Sequence, residues 1–190
     1  LFKFGACIFC FYRIVSVNLI KQLKHIVNKK KYRMKTSIGI KDADLKKVAK
    51  LLNVLLADEH VVYMKTRNAH WNVEGADFHA AHLFLESQYD ELAEVIDEVA
   101  ERVRTLGHYA VGTFDKYLKL TRLTESTSEK TDSLSYYKEL LADHEAIAMS
   151  IRADLAAVEQ TADNGTEDFL VGLLEKHEKM AWMLRAHFVK

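Results

Sequence analysis

A chain of 190 residues with no proline at all has little to stop it from forming long helices. Proline is the strongest interrupter of a helix and glycine the next. Only seven glycines are present, and none falls in residues 76–106. Alanine, leucine, glutamate and arginine dominate that stretch, which predicts one long helix. A second amphipathic stretch covers residues 42–72, where Leu45, Val48, Leu52, Leu55 and Leu56 recur at helical spacing. Between the two, residues 73–77 read as a turn, with Gly75 as a helix stop and Asp77 as the next N-cap. Residues 134–158 and 166–187 repeat the apolar pattern. Asn164-Gly165 separates them, with Thr166 and Asp168 supplying capping chemistry and favourable charge. With no strand signal, the expectation is an all-α bundle, and the length after Met34 suits one domain with a substantial core.

The chemistry concentrates on the glycine-free helix. His82, Glu86, Asp97 and Glu101 fall at about 0°, 40°, 60° and 100° around its axis, so they share one face. Imidazole and carboxylate donors of this kind suit iron, manganese and zinc. Along the axis, however, His82 and Asp97 stand roughly 22 Å apart at 1.5 Å per residue. Metal–ligand bonds of about 2.0–2.6 Å cannot bridge that distance. Either the upper pair (His82, Glu86) and the lower pair (Asp97, Glu101) are unrelated, or an antiparallel copy of the helix brings one chain's upper pair to the other's lower pair. Ordinary charges on a solvated face, joined by i,i+4 contacts, are the plain alternative. His70, near the end of the preceding helix, is close enough across the turn to join the upper pair. Its neighbour Trp71 is either core packing or an electron donor beside a metal site.

These residues carry a resemblance. His70-Trp71-Asn72, Gly75, Phe78, His82 and Glu86, continuing with Asp97, Glu101 and Arg102, resemble the Dps family of mini-ferritins, the DNA-binding proteins from starved cells. Glu86 stands where that family usually carries aspartate. The likeness extends over about residues 34–190. It includes residues 105–118, similar to the family's connection with a short extra helix, and 163–184, similar to its last helix and the start of that helix. It implies a ferritin-like four-helix bundle with the short helix between the second and third long ones. It further implies a ferroxidase centre of His70, His82, Glu86, Asp97 and Glu101 between two-fold-related subunits, iron as the metal, peroxide as oxidant, and a dodecamer. Larger ferritins build a di-iron site inside one bundle from Glu-x-x-His on two helices. No Glu-x-x-His occurs here, so a site shared at an interface is the expectation. Asp163, Glu167 and Asp168 either line an iron-entry pore or act as acidic caps at a helix start. His79 and His108 read as surface residues.

Residues 1–33 differ from the rest. They hold eight Lys or Arg and no acid, and twenty-one of them are Phe, Leu, Ile, Lys, Asn or Tyr, residues with many AT-rich codons. That is the composition of a translated upstream region, with Met34 as the expected start. A signal or anchor is the alternative, although neither an initial methionine nor a small-residue cleavage site is evident. Cys7 and Cys10 form a C-x-x-C without the βαβ context that would make it a redox motif. The remainder has no cysteine, which fits a reducing cytoplasm. The whole chain balances 27 basic against 27 acidic residues. From Met34 onward, 19 basic (27 less 8) face 27 acidic, a net of −8. A shell of such subunits repels phosphate, so DNA binding is expected to be weak unless the Lys29-Lys30-Lys31-x-Arg33 cluster belongs to the protein. The leading expectation is an iron-oxidising storage protein. Nucleoid condensation, and a helical assembly with a vestigial metal face, are the alternatives.

Overall fold

The computed structural model describes residues 36–126 and 129–188. Residues 1–33, with their basic cluster and both cysteines, lie outside the described residues. Five α-helices follow in order: α1 Asp42–Asn72, α2 Phe78–Thr105, the short α3 Phe114–Leu120, α4 Ser133–Val158 and α5 Asn164–Arg185, with a final 3₁₀ turn Ala186–Phe188. The four long helices form a bundle, as the resemblance implied. None of the described helices is long and apolar enough to cross a membrane.

Long helices form where the apolar stripe is unbroken, and each stripe is what the bundle buries. Leu52, Leu55 and Leu56 of α1, Leu85, Leu92, Val95 and Val99 of α2, Ile147 and Ile151 of α4, and Leu170 and Leu173 of α5 meet in one core. Each such side chain stabilises the fold by roughly 1.5–3 kcal/mol relative to exposure. The helix directions follow from side-chain contacts at the ends. Ser133 at the start of α4 donates to Asp77 Oδ2 at 2.6 Å, beside the start of α2. Arg102 near the end of α2 pairs with Asp163 at 2.7 Å, beside the start of α5. Thus α2 and α4 run parallel and the crossover between them returns along the length of the bundle, carrying α3 against α1. Two polar anchors hold the crossover. Asp58, 1 % exposed, accepts from Thr121 Oγ1, Arg122 N and Arg122 Nε, while Asn53 Oδ1 accepts from Val111 N.

Helix bounds agree with the sequence expectation to within a residue or two, but three terminus assignments do not. α1 stops at Val73, and Gly75 instead supplies a positive φ of 131° inside the turn. Asp77 occupies the N-cap position of α2 without capping it, because its carboxylate accepts from Ser133. Asn164 and Gly165 begin α5 instead of separating it from α4. The cap is Asp163, whose Oδ1 accepts from Thr166 N and whose Oδ2 accepts from Thr166 Oγ1. Asp163 is buried in this cap, so in the described chain it is not a pore-lining carboxylate. His79 is exposed and His108 half-buried.

Candidate metal centre

The turn of residues 73–77 folds the end of α1 onto the start of α2 and places His70 against His82. Their rings stack with centroids 3.7 Å apart and planes 23° from parallel. Each ring is fixed by the other residue's backbone: His70 Nδ1 donates to the His82 carbonyl and His82 Nδ1 donates to the His70 carbonyl, both at 2.9 Å. A carbonyl can only accept, so both Nδ1 atoms carry a proton, and in the neutral ring each Nε2 then keeps its lone pair. That tautomer is the one a metal-binding histidine needs, with a backbone carbonyl behind the ligand to orient it. The donor set therefore fits a transition-metal ion such as iron.

Glu86 lies one turn beyond His82 on α2, and Tyr89 Oη donates to its Oε1 at 3.3 Å. Tyr89 also stands edge-on to His70 at 5.0 Å. Desolvation first, then the Glu86 charge, raise its phenol above the ordinary range. Arg67 closes this side: its guanidinium lies 4.3 Å from the Tyr89 centroid and 5.1 Å from that of Trp71. Trp71 is 57 % exposed, so it is not core packing. Tyr89 and Arg67 were not among the candidates read from sequence. The available signal was spacing: Tyr89 follows His82 by two turns and Glu86 by three residues, on the same face of α2.

Asp97 and Glu101 sit on the lower part of the same helix, both exposed. The adjacent Arg102 turns away to α5, donating through Nε to Thr166 Oγ1 and through Nη2 to Asp163 Oδ1. The fold thus brings His70 and His82 together, ties Glu86 to them through Tyr89, and leaves Asp97 and Glu101 at the far end. Among the described residues no three His, Cys, Asp or Glu side chains converge to hold an ion. His82 with Glu86, and Asp97 with Glu101, thus stand at two places along one helix.

Comparison with known proteins gives a consistent picture. Residues 49–190 match the ferritin-like domain family. A DNA protection during starvation protein from Helicobacter pylori is 36 % identical, over 74 % of this chain and 98 % of its own length. A low temperature-induced protein of Nostoc sp. is 39 % identical over 79 % of this chain and 84 % of its own. Among solved structures, the Dps protein of Vibrio cholerae O1, described as a member of a broad superfamily of ferritin-like diiron-carboxylate proteins, superposes with a TM-score of 0.77. It is 33 % identical, covering 82 % of this chain and 98 % of that one.

Proposed function

Because the chain belongs to the ferritin-like family, and within it to the Dps proteins, we propose that it oxidises Fe²⁺ and stores the ferric product, using centres shared between subunits. The observation that carries this reading is the reciprocal lock of His70 and His82, which leaves two imidazole lone pairs available beside Glu86. A second copy running antiparallel adds Asp97 and Glu101 of the partner subunit, and the two-fold axis makes two such centres per pair. Carboxylates from one chain and neutral imidazoles from the other give a mixed donor set that suits iron.

Iron is the substrate, and hydrogen peroxide is the oxidant. Two Fe²⁺ each give up one electron, the peroxide O–O bond takes both and breaks, and two hydroxides result without free hydroxyl radical. His70 and His82 hold their rings still during this change because their carbonyl partners belong to two different helices. Trp71, exposed beside His70, is placed to give an electron to a stray oxidant. The net negative charge from Met34 onward favours cation entry into a closed shell, which we take to be a dodecamer in the cytoplasm. DNA binding by this acidic domain is weak, and any stronger binding depends on Lys29, Lys30, Lys31 and Arg33, outside the described residues.

Ferric absorbance after mixing Fe²⁺ with peroxide provides the test. Asp97→Ala with Glu101→Ala lowers the oxidation rate by at least tenfold, corresponding to about 1.4 kcal/mol or more of lost stabilisation. Oxidation at the parent rate in that variant contradicts the assignment.

A further inference from the structure

The histidine pair lies where α1 meets α2. The other helix hairpin, α4 against α5, carries a surface that the iron chemistry does not use. Two ion pairs cross its outer seam: Arg152 with Glu178, and Arg185 with Glu145 at 2.6 Å. They fix the antiparallel register, since seven residues forward along α4 correspond to seven back along α5. Level between the two pairs stand Met149 of α4 and Trp182 of α5, 65 % and 62 % exposed. Spacings of three and four residues put each on the same helix face as the charges that flank it. Single exposed apolar residues are ordinary. A tryptophan and a methionine side by side, framed at both ends by paired charges, are not.

We propose that this seam is a contact surface for a further copy of the chain, distinct from the copy that completes the iron centre. Along the bundle the α4 row is Glu145, Met149, Arg152: negative, apolar, positive. At the same levels the α5 row is Arg185, Trp182, Glu178: positive, apolar, negative. The match that pairs the rows within one chain also lets the α4 row of one copy meet the α5 row of another. Met149 then covers the partner subunit's Trp182, a favourable sulfur–aromatic contact, and every charge at the seam gains a second neighbour of opposite sign. A slip of one helical turn sets charges against the apolar pair, so the frame fixes the register as well. With two charges of each sign and no net charge, the seam matches a copy of itself better than a uniformly charged partner such as nucleic acid. A large aromatic at the middle of a charged rim is also the usual anatomy of a protein interface.

The consequence for storage rests on the shared-centre reading above. A two-fold pair matches one surface to itself and stops at two chains. Each chain offers both rows of the seam, so it gives its α4 row to one neighbour and its α5 row to the next. Head-to-tail contacts of this kind close into rings. Pairs joined through such rings enclose a volume that neither contact creates alone. The two surfaces thus divide the work: the α2 face completes the oxidising centre, and the α4–α5 seam retains its product.

The test is Met149→Glu with Trp182→Glu in the full chain, sized by light scattering after gel filtration, with circular dichroism to check helix content. The variant is expected to fall from the parent's assembly to pairs, with helix content and the rate of Fe²⁺ oxidation per subunit unchanged. Ferric iron then no longer travels with the protein through a desalting column, as it does with the parent. The neutral Met149→Gln with Trp182→Gln gives the same pairs on dilution, so the outcome does not depend on how well the charged variant folds. Single chains that still oxidise iron at the parent rate leave the seam standing and contradict the shared centre. The proposal is overturned if both variants keep the parent's size, whether residues 1–33 or nothing covers the seam. It is also overturned if they fall to single chains without oxidation, because the seam is then not distinct from the contact at the centre.

Discussion

An imidazole buried against another imidazole resists a second proton. Burial, and next the neighbouring His177, hold His144 well below the ordinary histidine range. In the unfolded chain the same ring titrates near its ordinary value of about 6.5. Below that pH the unfolded state binds a proton that the folded state refuses. The stability contributed by a neutral His144 is therefore fully present above about pH 6.5 and declines as pH falls, by roughly 1.4 kcal/mol per unit for one proton. His177 faces this ring, and Glu59 holds the far nitrogen of His177, so the comparison must isolate it. Denaturant unfolding of the parent and His144→Leu at pH 7.5 and pH 5.5 does so: the parent loses more stability on acidification than the variant. Equal losses contradict the claim.

At the scale of elements, the site depends on one turn. His70 and His82 belong to different helices, and their mutual carbonyl bonds exist only because residues 73–77 reverse the chain in five residues. Gly75 takes a φ of 131° there, a region that side-chain-bearing residues rarely adopt, and an added Cβ meets Asp77 Oδ1 at 3.3 Å. Gly75→Ala is expected to cost about 1–3 kcal/mol in strain and to weaken Fe²⁺ binding by loosening the histidine pair, read by calorimetric titration and thermal unfolding. Tight binding with unchanged stability shows that the turn does not set the pair. The helices themselves were legible because nothing in the sequence interrupts their stripes: α1 begins and ends at the residues the apolar pattern marks, and α2 lies within the glycine-free stretch. His70 and His82 were legible through their spacing about the turn. The cap of α5 was misassigned because Asp163 and Thr166 bond to each other, so the pattern alone does not tell which is the cap. Glu59, His144 and His177 were missed for a different reason. They lie up to 118 positions apart, and only the packing of three helices brings them together.

For the whole molecule, the central claim is that the iron centre belongs to the pair of subunits and not to the chain. The roughly 22 Å between His82 and Asp97 along one helix forces this if all five residues act together. Two inactive variants distinguish it from sites held by single chains: His70→Ala with His82→Ala, and Asp97→Ala with Glu101→Ala. Co-expressed, they form mixed pairs in which one centre carries every defect and the other carries none. If half the pairs are mixed and each has one of its two centres intact, oxidation returns to about one quarter of the parent rate. The decisive measurement is Fe²⁺ oxidation by peroxide in that co-assembled sample, against each variant alone. Recovery to about one quarter is the predicted result, and a mixture as inactive as its components contradicts the account.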